Sequence, residues 1–73
     1  MPKDEIENEI RKLRYEHGEM TQKELAETVG CTRQTIVLLE RGRYSPSLGL
    51  AFRIAQTFDL TVDEVFEYRG GRP

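Results

Sequence analysis

The side chains best suited to bind a ligand in this 73-residue chain are arginine and glutamine residues in its middle third. Arg33 and Gln34 follow a short Gly-Cys-Thr stretch, and Arg41 and Arg43 come soon after them. An arginine guanidinium pairs with guanine through two parallel hydrogen bonds, and a glutamine carboxamide pairs in the same way with adenine. These residue types therefore favour a nucleic-acid ligand.

Groups that could form a catalytic or metal site are few. His17 and Cys31 are the single histidine and the single cysteine of the chain, and no third group that would orient the histidine stands near them in sequence. A lone cysteine makes neither an internal disulfide nor a multi-ligand zinc site. The carboxylates at positions 4 to 9 follow no pocket-forming pattern and are expected to form a solvated face. We predict no enzyme activity, no metal and no cofactor.

Charge is distributed unevenly along the chain. The net charge of -2 counts against a general nucleic-acid binder. Residues 1–9 carry one lysine and four carboxylates, a net charge of -3, whereas residues 30–44 carry three arginines against Glu40, a net charge of +2. A basic segment thus lies within an acidic chain, although a solvated charged surface would give the same pattern.

The elements that would position these residues follow from a 3.6-residue apolar period, and the alternation typical of strands is absent. We predict a first helix from about Asp4 to His17, because Ile6, Ile10 and Leu13 fall on one of its faces. Gly18 is expected to end this helix, since glycine adopts the left-handed conformation without steric cost.

Three further helix starts are marked by capping residues. Residues 21–24 and 61–64 are capping boxes, in which a threonine hydroxyl and a glutamate carboxylate each accept from the other residue's amide. They predict the starts of the second and fifth helices. Ser47 is expected to cap a fourth helix, and residues 68–73 are predicted to form a frayed tail.

Only Gly-Cys-Thr, residues 30–32, separates the second helix from a third helix predicted over Arg33–Arg41 with Thr32 as its N-cap. Two short helices joined by such a turn form a helix-turn-helix unit. Ala26 is small where the two helices would cross. The residues expected to lock this pair to the core are Leu25, Val29, Ile36 and Leu39. The residues left to project outward are Arg33, Gln34, Val37, Leu38 and Arg41.

The ordered motifs between about residues 8 and 67 resemble those of the phage-repressor/Cro-like, or XRE, family of helix-turn-helix transcriptional regulators. The matching stretches are TQKELAETVG, CTRQTI, LERGR, YSPSL and LTVDEVF. The resemblance implies an all-α fold, a compact five-helix domain like that of lambda repressor. A length of 73 residues predicts one domain over residues 1–73, with its core at about residues 8–67, an acidic N-terminal extension and a frayed C-terminal tail.

The resemblance also implies roles for individual residues. Gln22 matches a glutamine that holds a DNA phosphate and steadies the third helix, and Glu40 matches a structural acid that pairs with Arg14 or Arg11 of the first helix. Arg33 and Gln34 fall at base-reading positions. The complete set of residues predicted to contact double-stranded DNA is Gln22, Thr32, Arg33, Gln34, Thr35, Val37, Leu38, Arg41, Arg43 and Tyr44.

Val37 and Leu38 keep a second function open. Apolar side chains on the reading face could contact thymine methyl groups, or they could bind a partner protein. The alternative is therefore a protein-interaction or antitoxin-type module that retains the fold. The acidic balance of the chain favours this alternative, whereas the local arginines favour DNA.

Assembly and location are also predicted. A single small domain covers little DNA, so we expect a homodimer, with Phe66 and Tyr68 near the chain end as interface candidates. No apolar run approaches 18 residues and the N-terminus is acidic, so we expect no membrane segment, no signal peptide and a cytoplasmic protein. We expect no small-molecule ligand, because no second domain that would sense one is evident.

Overall fold

Five short helices and a two-stranded sheet make up residues 6–69, which are the residues that the computed structural model describes. In chain order the elements are β1 (Ile6–Asn8), α1 (Ile10–Glu16), α2 (Gln22–Val29), α3 (Arg33–Glu40), α4 (Leu48–Thr57), α5 (Val62–Val65) and β2 (Phe66–Tyr68). Within these residues, no helix is long and apolar enough to cross a membrane.

The predicted start of α2 is confirmed by its hydrogen bonds. The Thr21 hydroxyl accepts from the Glu24 amide at 3.0 Å, and the Glu24 carboxylate accepts from the Thr21 amide at 2.8 Å. Gly30 ends the helix with a φ of +79°, a conformation that glycine adopts readily. Both ends of α2 are therefore fixed by local sequence.

The starts of the later helices are capped where the sequence predicts. The Thr32 hydroxyl accepts from an amide in the first turn of α3, and the Ser47 hydroxyl does the same for α4. At α5 one half of the predicted box forms, since the Glu64 carboxylate accepts from the Thr61 amide at 2.8 Å. The Glu64 amide donates to the Thr61 backbone carbonyl rather than to its hydroxyl, and that hydroxyl instead donates to the carboxylates of Asp63 and Glu64. Arg41, predicted as the last residue of the third helix, is instead the residue that follows α3.

The core lies between helices α1 to α4 and the short helix α5. Its buried apolar members are Ile10, Leu13, Leu25, Ala26, Val29, Ile36, Leu39, Leu50, Ile54, Ala55, Phe58 and Val65. The predicted locking residues of α2 and α3 are all among them. Ala26 is 2 % exposed, as expected for a small residue at a helix crossing. The helix-turn-helix pair is therefore held rigidly by apolar packing.

The N-terminal prediction was wrong in its boundary. Residues 6–8 form β1 rather than helix, and α1 begins only at Ile10. The Asn8 side chain explains the break, since its oxygen accepts from the Ile10 amide at 3.1 Å while its amide nitrogen donates to the Leu39 carbonyl at 2.7 Å. Positions 4 and 5 of the predicted helix lie outside the described residues.

The prediction of a frayed end was wrong for Tyr68. This residue lies in β2, which pairs antiparallel with β1 so that Ile6 faces Tyr68 and Asn8 faces Phe66. Residues 70–73 lie outside the described part of the chain. The all-α prediction thus holds for the five helices and fails for the sheet, because a three-residue strand is too short to show an alternating pattern.

Candidate nucleic-acid interface

The two faces of α3 differ sharply in exposure. Ile36 and Leu39 are buried, whereas Arg33 and Gln34 at the start of the helix are exposed. The structure therefore turns the predicted base-reading pair away from the core and toward solvent.

The remaining predicted contact residues of α3 and its flanks vary in exposure. Arg41, Arg43, Tyr44 and Thr32 are exposed, as a direct contact with DNA requires. Three of the predicted contacts are partly buried, namely Thr35, Val37 and Leu38. Val37 and Leu38 therefore project less into solvent than the sequence predicts.

A buried ion pair fixes the far end of α3. Arg14 on α1 donates through Nε to Oε2 of Glu40 at 2.6 Å and through Nη2 to Oε1 at 3.1 Å. The two side chains are only 11 % and 9 % exposed. The third nitrogen of Arg14 donates to the Met20 carbonyl at 2.7 Å, ahead of α2. Arg14 rather than Arg11 is therefore the partner of Glu40, and it joins α1, the α1–α2 connection and α3.

Gln22 is a second hydrogen-bond partner of the Glu40 carboxylate. Its side-chain amide donates to Oε1 of Glu40 at 3.2 Å, and the residue is half-buried at the first position of α2. This hydrogen bond joins the start of α2 to the last residue of α3. The Gln22 side chain thus lies beside the last turn of α3, and its contact with a DNA phosphate remains a prediction.

A groove of about 600 Å³ runs between α1, the start of α2 and α3. It is lined by Arg11, Arg14, Tyr15, Thr21, Gln22, Lys23, Arg33, Val37, Glu40 and Arg41. Among residues 6–69, Glu40 is the one acidic residue in the lining, and Arg14 neutralises that carboxylate. The other four ionic residues in this part of the lining are all cationic, so the described lining carries a net positive charge.

Sequence reasoning gave Tyr15 and Lys23 no role in this site, and it considered Arg11 only as a possible partner of Glu40. The guanidinium carbons of Arg11 and Arg14 lie 6.0 and 5.9 Å from the centre of the Tyr15 ring, within the range of a cation–π interaction. The four-residue spacing of Arg11 and Tyr15 on one helix face was the available signal.

The two candidate catalytic side chains are engaged in separate contacts. The His17 ring packs edge-on against Phe58 with ring centres 5.0 Å apart, and its Nδ1 lies 2.9 Å from the Leu13 carbonyl. Burial raises the pKa of the Cys31 thiol, which keeps it protonated and a poor nucleophile at neutral pH.

The two predicted dimer-interface residues, Phe66 and Tyr68, differ in exposure. Phe66 is half-buried and packs against the core, whereas Tyr68 is 63 % exposed on β2. Of the two, Tyr68 is the one with surface to offer a second copy.

Comparison with known proteins identifies the fold's family. Residues 9–65 match a helix-turn-helix family model. A protein of Methanothermobacter thermautotrophicus is 68% identical over 58 residues, which cover 78% of this chain and 83% of that protein. A protein of Archaeoglobus fulgidus is 51% identical over 57 residues, covering 78% and 80%. YgzD of Bacillus subtilis is 43% identical over 61 residues, covering 84% and 91%.

Among solved structures, the clp gene regulator ClgR from Corynebacterium glutamicum superposes with a TM-score of 0.68 at 29% sequence identity. The match covers 75% of this chain and 57% of the ClgR chain, so this chain spans little more than half of that regulator. The three sequence relatives are named HTH-type transcriptional regulators. The family resemblance of the motifs is thereby confirmed, and this chain belongs to the XRE-type helix-turn-helix family of transcriptional regulators.

Proposed function

We propose that this protein is a sequence-specific, double-stranded DNA-binding regulator that reads the major groove with α3 and acts as a repressor. The observation that carries the proposal is the placement of Arg33 and Gln34. Both are exposed at the start of a helix whose opposite side is buried and whose far end is held by the Arg14–Glu40 pair. A rigid helix with donors at its exposed start is the arrangement that major-groove recognition requires.

Base contacts are assigned first to Arg33 and Gln34, which have the bidentate donors for guanine and adenine. Val37 and Leu38, half-buried on the same helix, can each offer methyl groups to thymine. The Thr32 and Thr35 hydroxyls lie 3.0 Å apart at the first turn of α3 and are assigned to the DNA backbone or a base edge.

Phosphate contacts are assigned to residues at the two ends of the helix-turn-helix unit. Gln22 stands at the start of α2, and Arg41, Arg43 and Tyr44 follow the last turn of α3. Side chains that bind the two backbone strands flanking a groove fix the register of the reading helix without carrying sequence information. Repression is the sign we propose, because a small domain that occupies its site blocks other proteins from that DNA.

The proposed assembly is a homodimer on a two-fold symmetric site. One small module covers about 600–1,000 Å² of its own surface on DNA, which limits affinity. Two copies related by a two-fold axis would place their reading helices about 34–36 Å apart on one face of the duplex. A cytoplasmic location is part of the same proposal, since the regulator has to reach the DNA.

The salt dependence of duplex binding tests this proposal against the protein-interaction alternative. Neutralising phosphates releases counterions, so the logarithm of the DNA affinity should fall steeply and linearly with the logarithm of salt concentration. Fluorescence anisotropy with a labelled duplex, from low to physiological salt, gives the slope. A slope near zero, or no duplex binding at low salt, would favour the protein-interaction module.

A further inference from the structure

The turn that ends α3 sets the direction of the arginines that follow the helix. The Gly42 amide donates to the Leu39 carbonyl at 3.0 Å. The next amide, that of Arg43, donates to the Leu38 carbonyl at 2.9 Å. With the φ of +69° at Gly42, these two bonds form a Schellman motif over residues 38–43. The direction in which the Arg43 side chain leaves α3 therefore depends on this Schellman turn.

Two groups of β1 contact the Schellman turn. Nδ2 of Asn8 donates to the Leu39 carbonyl at 2.7 Å, so this carbonyl accepts from Asn8 as well as from Gly42. A backbone carbonyl has two lone pairs and can accept both bonds. The Ile6 carbonyl also lies beside the turn, 3.8 Å from the position that a Cβ atom would take on Gly42. The sheet is thus in direct contact with the end of α3.

The Asn8 side chain is also held by its other polar atom. Its Oδ1 accepts from the Ile10 amide at 3.1 Å at the start of α1, and Asn8 faces Phe66 across the sheet. Phe66 in turn packs against the core. Supporting contacts of this kind lock the rotamer of a side chain, which lowers the entropy cost of the other hydrogen bond that it makes. Asn8 is therefore a rigid connection between the sheet and the Schellman turn.

The sheet has little stability of its own. Each strand has only three residues, and a two-stranded sheet is marginal in water unless it packs against other elements. Arg69 lies 3.5 Å from the carboxylates of Glu7 and Glu67, but all three side chains are more than half exposed, so these ion pairs contribute little. The pairing of β1 with β2 therefore depends on contacts with the helices, among them the bond from Asn8 to Leu39.

We propose that Asn8 positions Arg41 and Arg43 for their phosphate contacts, and that DNA binding and the pairing of β1 with β2 stabilise each other. This inference rests on the proposed function and gives the sheet a role in DNA binding. The coupling acts through the hydrogen bond from Asn8 to the Leu39 carbonyl. By thermodynamic linkage it is reciprocal, so the paired sheet raises the affinity for DNA and bound DNA protects the sheet from opening.

Asn8→Ser removes the bond to α3 and keeps the bond to α1. A serine hydroxyl can accept from an amide two residues on, as Asn8 does from Ile10, but it is too short to reach the Leu39 carbonyl. The variant should weaken duplex binding about two- to tenfold, which corresponds to the net contribution of one hydrogen bond. Gln56→Ser removes an exposed carboxamide from α4 and should leave binding unchanged. Thermal unfolding without DNA checks that both variants are folded at the assay temperature.

Double-mutant cycles separate positioning from a general loss of stability. If Asn8 acts through the arginines that follow α3, Asn8→Ser should weaken duplex binding clearly less in an Arg43→Ala background than in wild type. In an Arg33→Ala background, which alters the opposite end of α3, the loss should match that in wild type. A purely structural role would lower the affinity by the same factor in all three backgrounds, and that result would overturn the positioning role.

Amide hydrogen exchange in wild type tests the coupling in the reverse direction. The Glu9 amide donates to the Val65 carbonyl at 3.0 Å. Hydrogen-bonded pairs alternate along an antiparallel ladder, so Glu7 and Glu67 form the next such pair. The exchange rate of the Glu67 amide therefore reports on opening of the sheet, and this measurement needs no substitution.

Saturating duplex should slow exchange of the Glu67 amide more than exchange of the Asp59 amide, which is bonded to the Gln56 carbonyl in the turn after α4. In Asn8→Ser, duplex should slow both amides by the same factor, because the connection between the sheet and the Schellman turn is gone.

Two outcomes separate this coupling from the proposed function. If wild type shows no salt-dependent duplex binding, the proposed function and the coupling both fail. If wild type binds duplex with a steep salt slope, the proposed function stands. The coupling alone then fails if Asn8→Ser matches Gln56→Ser in affinity, or if duplex slows the Glu67 and Asp59 amides of wild type equally.

Discussion

Arg43 illustrates what a single exposed side chain can contribute. It follows the last turn of α3 and is exposed, and its amide donates to the Leu38 carbonyl, which fixes where the side chain leaves the helix. Glu40, three residues earlier at the end of α3, has a side chain that is only 9% exposed. The role available to a single residue therefore depends on whether packing leaves its side chain exposed to solvent.

Replacing Arg43 by alanine should weaken binding to all duplexes alike, since a phosphate contact is present whatever the sequence. The salt slope should fall by about one unit. Arg69→Ala is the matched control, because Arg69 is also exposed but pairs with Glu7 and Glu67 beside the sheet. An unchanged slope for Arg43→Ala in anisotropy titrations would show that this loop does not reach DNA.

The capping box of α2 provides a prediction about pH. Hydrogen bonds from the Thr21 amide and hydroxyl lower the pKa of Glu24 below its ordinary value. A carboxyl with a lowered pKa in the folded state contributes stability above its unfolded pKa, and that stability is lost as pH falls through the folded value. Wild type should therefore lose this contribution progressively below about pH 4.5.

Urea unfolding of wild type and Glu24→Gln at pH 7 and at pH 3 measures this effect. We expect wild type to be the more stable of the two at pH 7, with the difference shrinking at pH 3. Glu27→Gln, on the same helix but outside the capping box, is the control for removing a charge. A stability difference that is the same at both pH values would contradict the carboxylate's role.

At the scale of elements, α3 is positioned by one buried charge pair in addition to apolar packing. Arg14 and Glu40 connect α1 to α3, Gln22 adds α2, and Asn8 bonds the Leu39 carbonyl from β1. Three elements thus contact the last turn of the proposed reading helix through polar side chains. Its orientation depends on all of them.

Removing one partner of this pair should be costly. Glu40→Ala leaves the Arg14 guanidinium buried without its carboxylate, which costs about 3–5 kcal/mol of unfolding free energy. The double variant Arg14→Met with Glu40→Leu should recover much of that loss, because no charge is left buried. Urea unfolding of wild type, Glu40→Ala and the double variant measures the two free-energy changes to be compared. A loss below about 1 kcal/mol for Glu40→Ala would place the pair among ordinary surface ion pairs.

The elements that local sequence determines were predicted well. The Thr21–Glu24 box, Gly30, Thr32 and Ser47 each act within a few residues of where they stand, so their spacing alone was informative. The partner of Glu40 was narrowed to two arginines by the family resemblance but not decided, because Arg11 and Arg14 lie on the same helix.

Contacts between distant parts of the chain were not predictable in this way. The pairing of Ile6 with Tyr68 joins residues near opposite ends of the chain, and neither strand is long enough to show a period. The groove was missed for the same reason. Arg11, Lys23 and Arg41 are separate in sequence and meet only when α1, α2 and α3 pack together.

At the scale of the whole molecule, the sheet pairs residues 6–8 with residues 66–68 and leaves Tyr68 63 % exposed. If this end forms the dimer interface, Tyr68→Ala should weaken self-association. Phe52→Ala removes a comparably exposed aromatic ring from α4 and should not. Sedimentation equilibrium at micromolar concentration, with and without DNA, measures both. A wild-type monomer in each condition would contradict the homodimer.

The most direct test of the account is whether Arg33 reads a base. Selection of bound duplexes from a random pool first defines the preferred site. Arg33→Ala should then cost about 1–3 kcal/mol on that site, lose its preference at one base pair, and change binding to random duplex far less. An equal loss on the selected and random duplexes would show that Arg33 contacts only phosphate, and it would contradict the assignment of α3 as the reading helix.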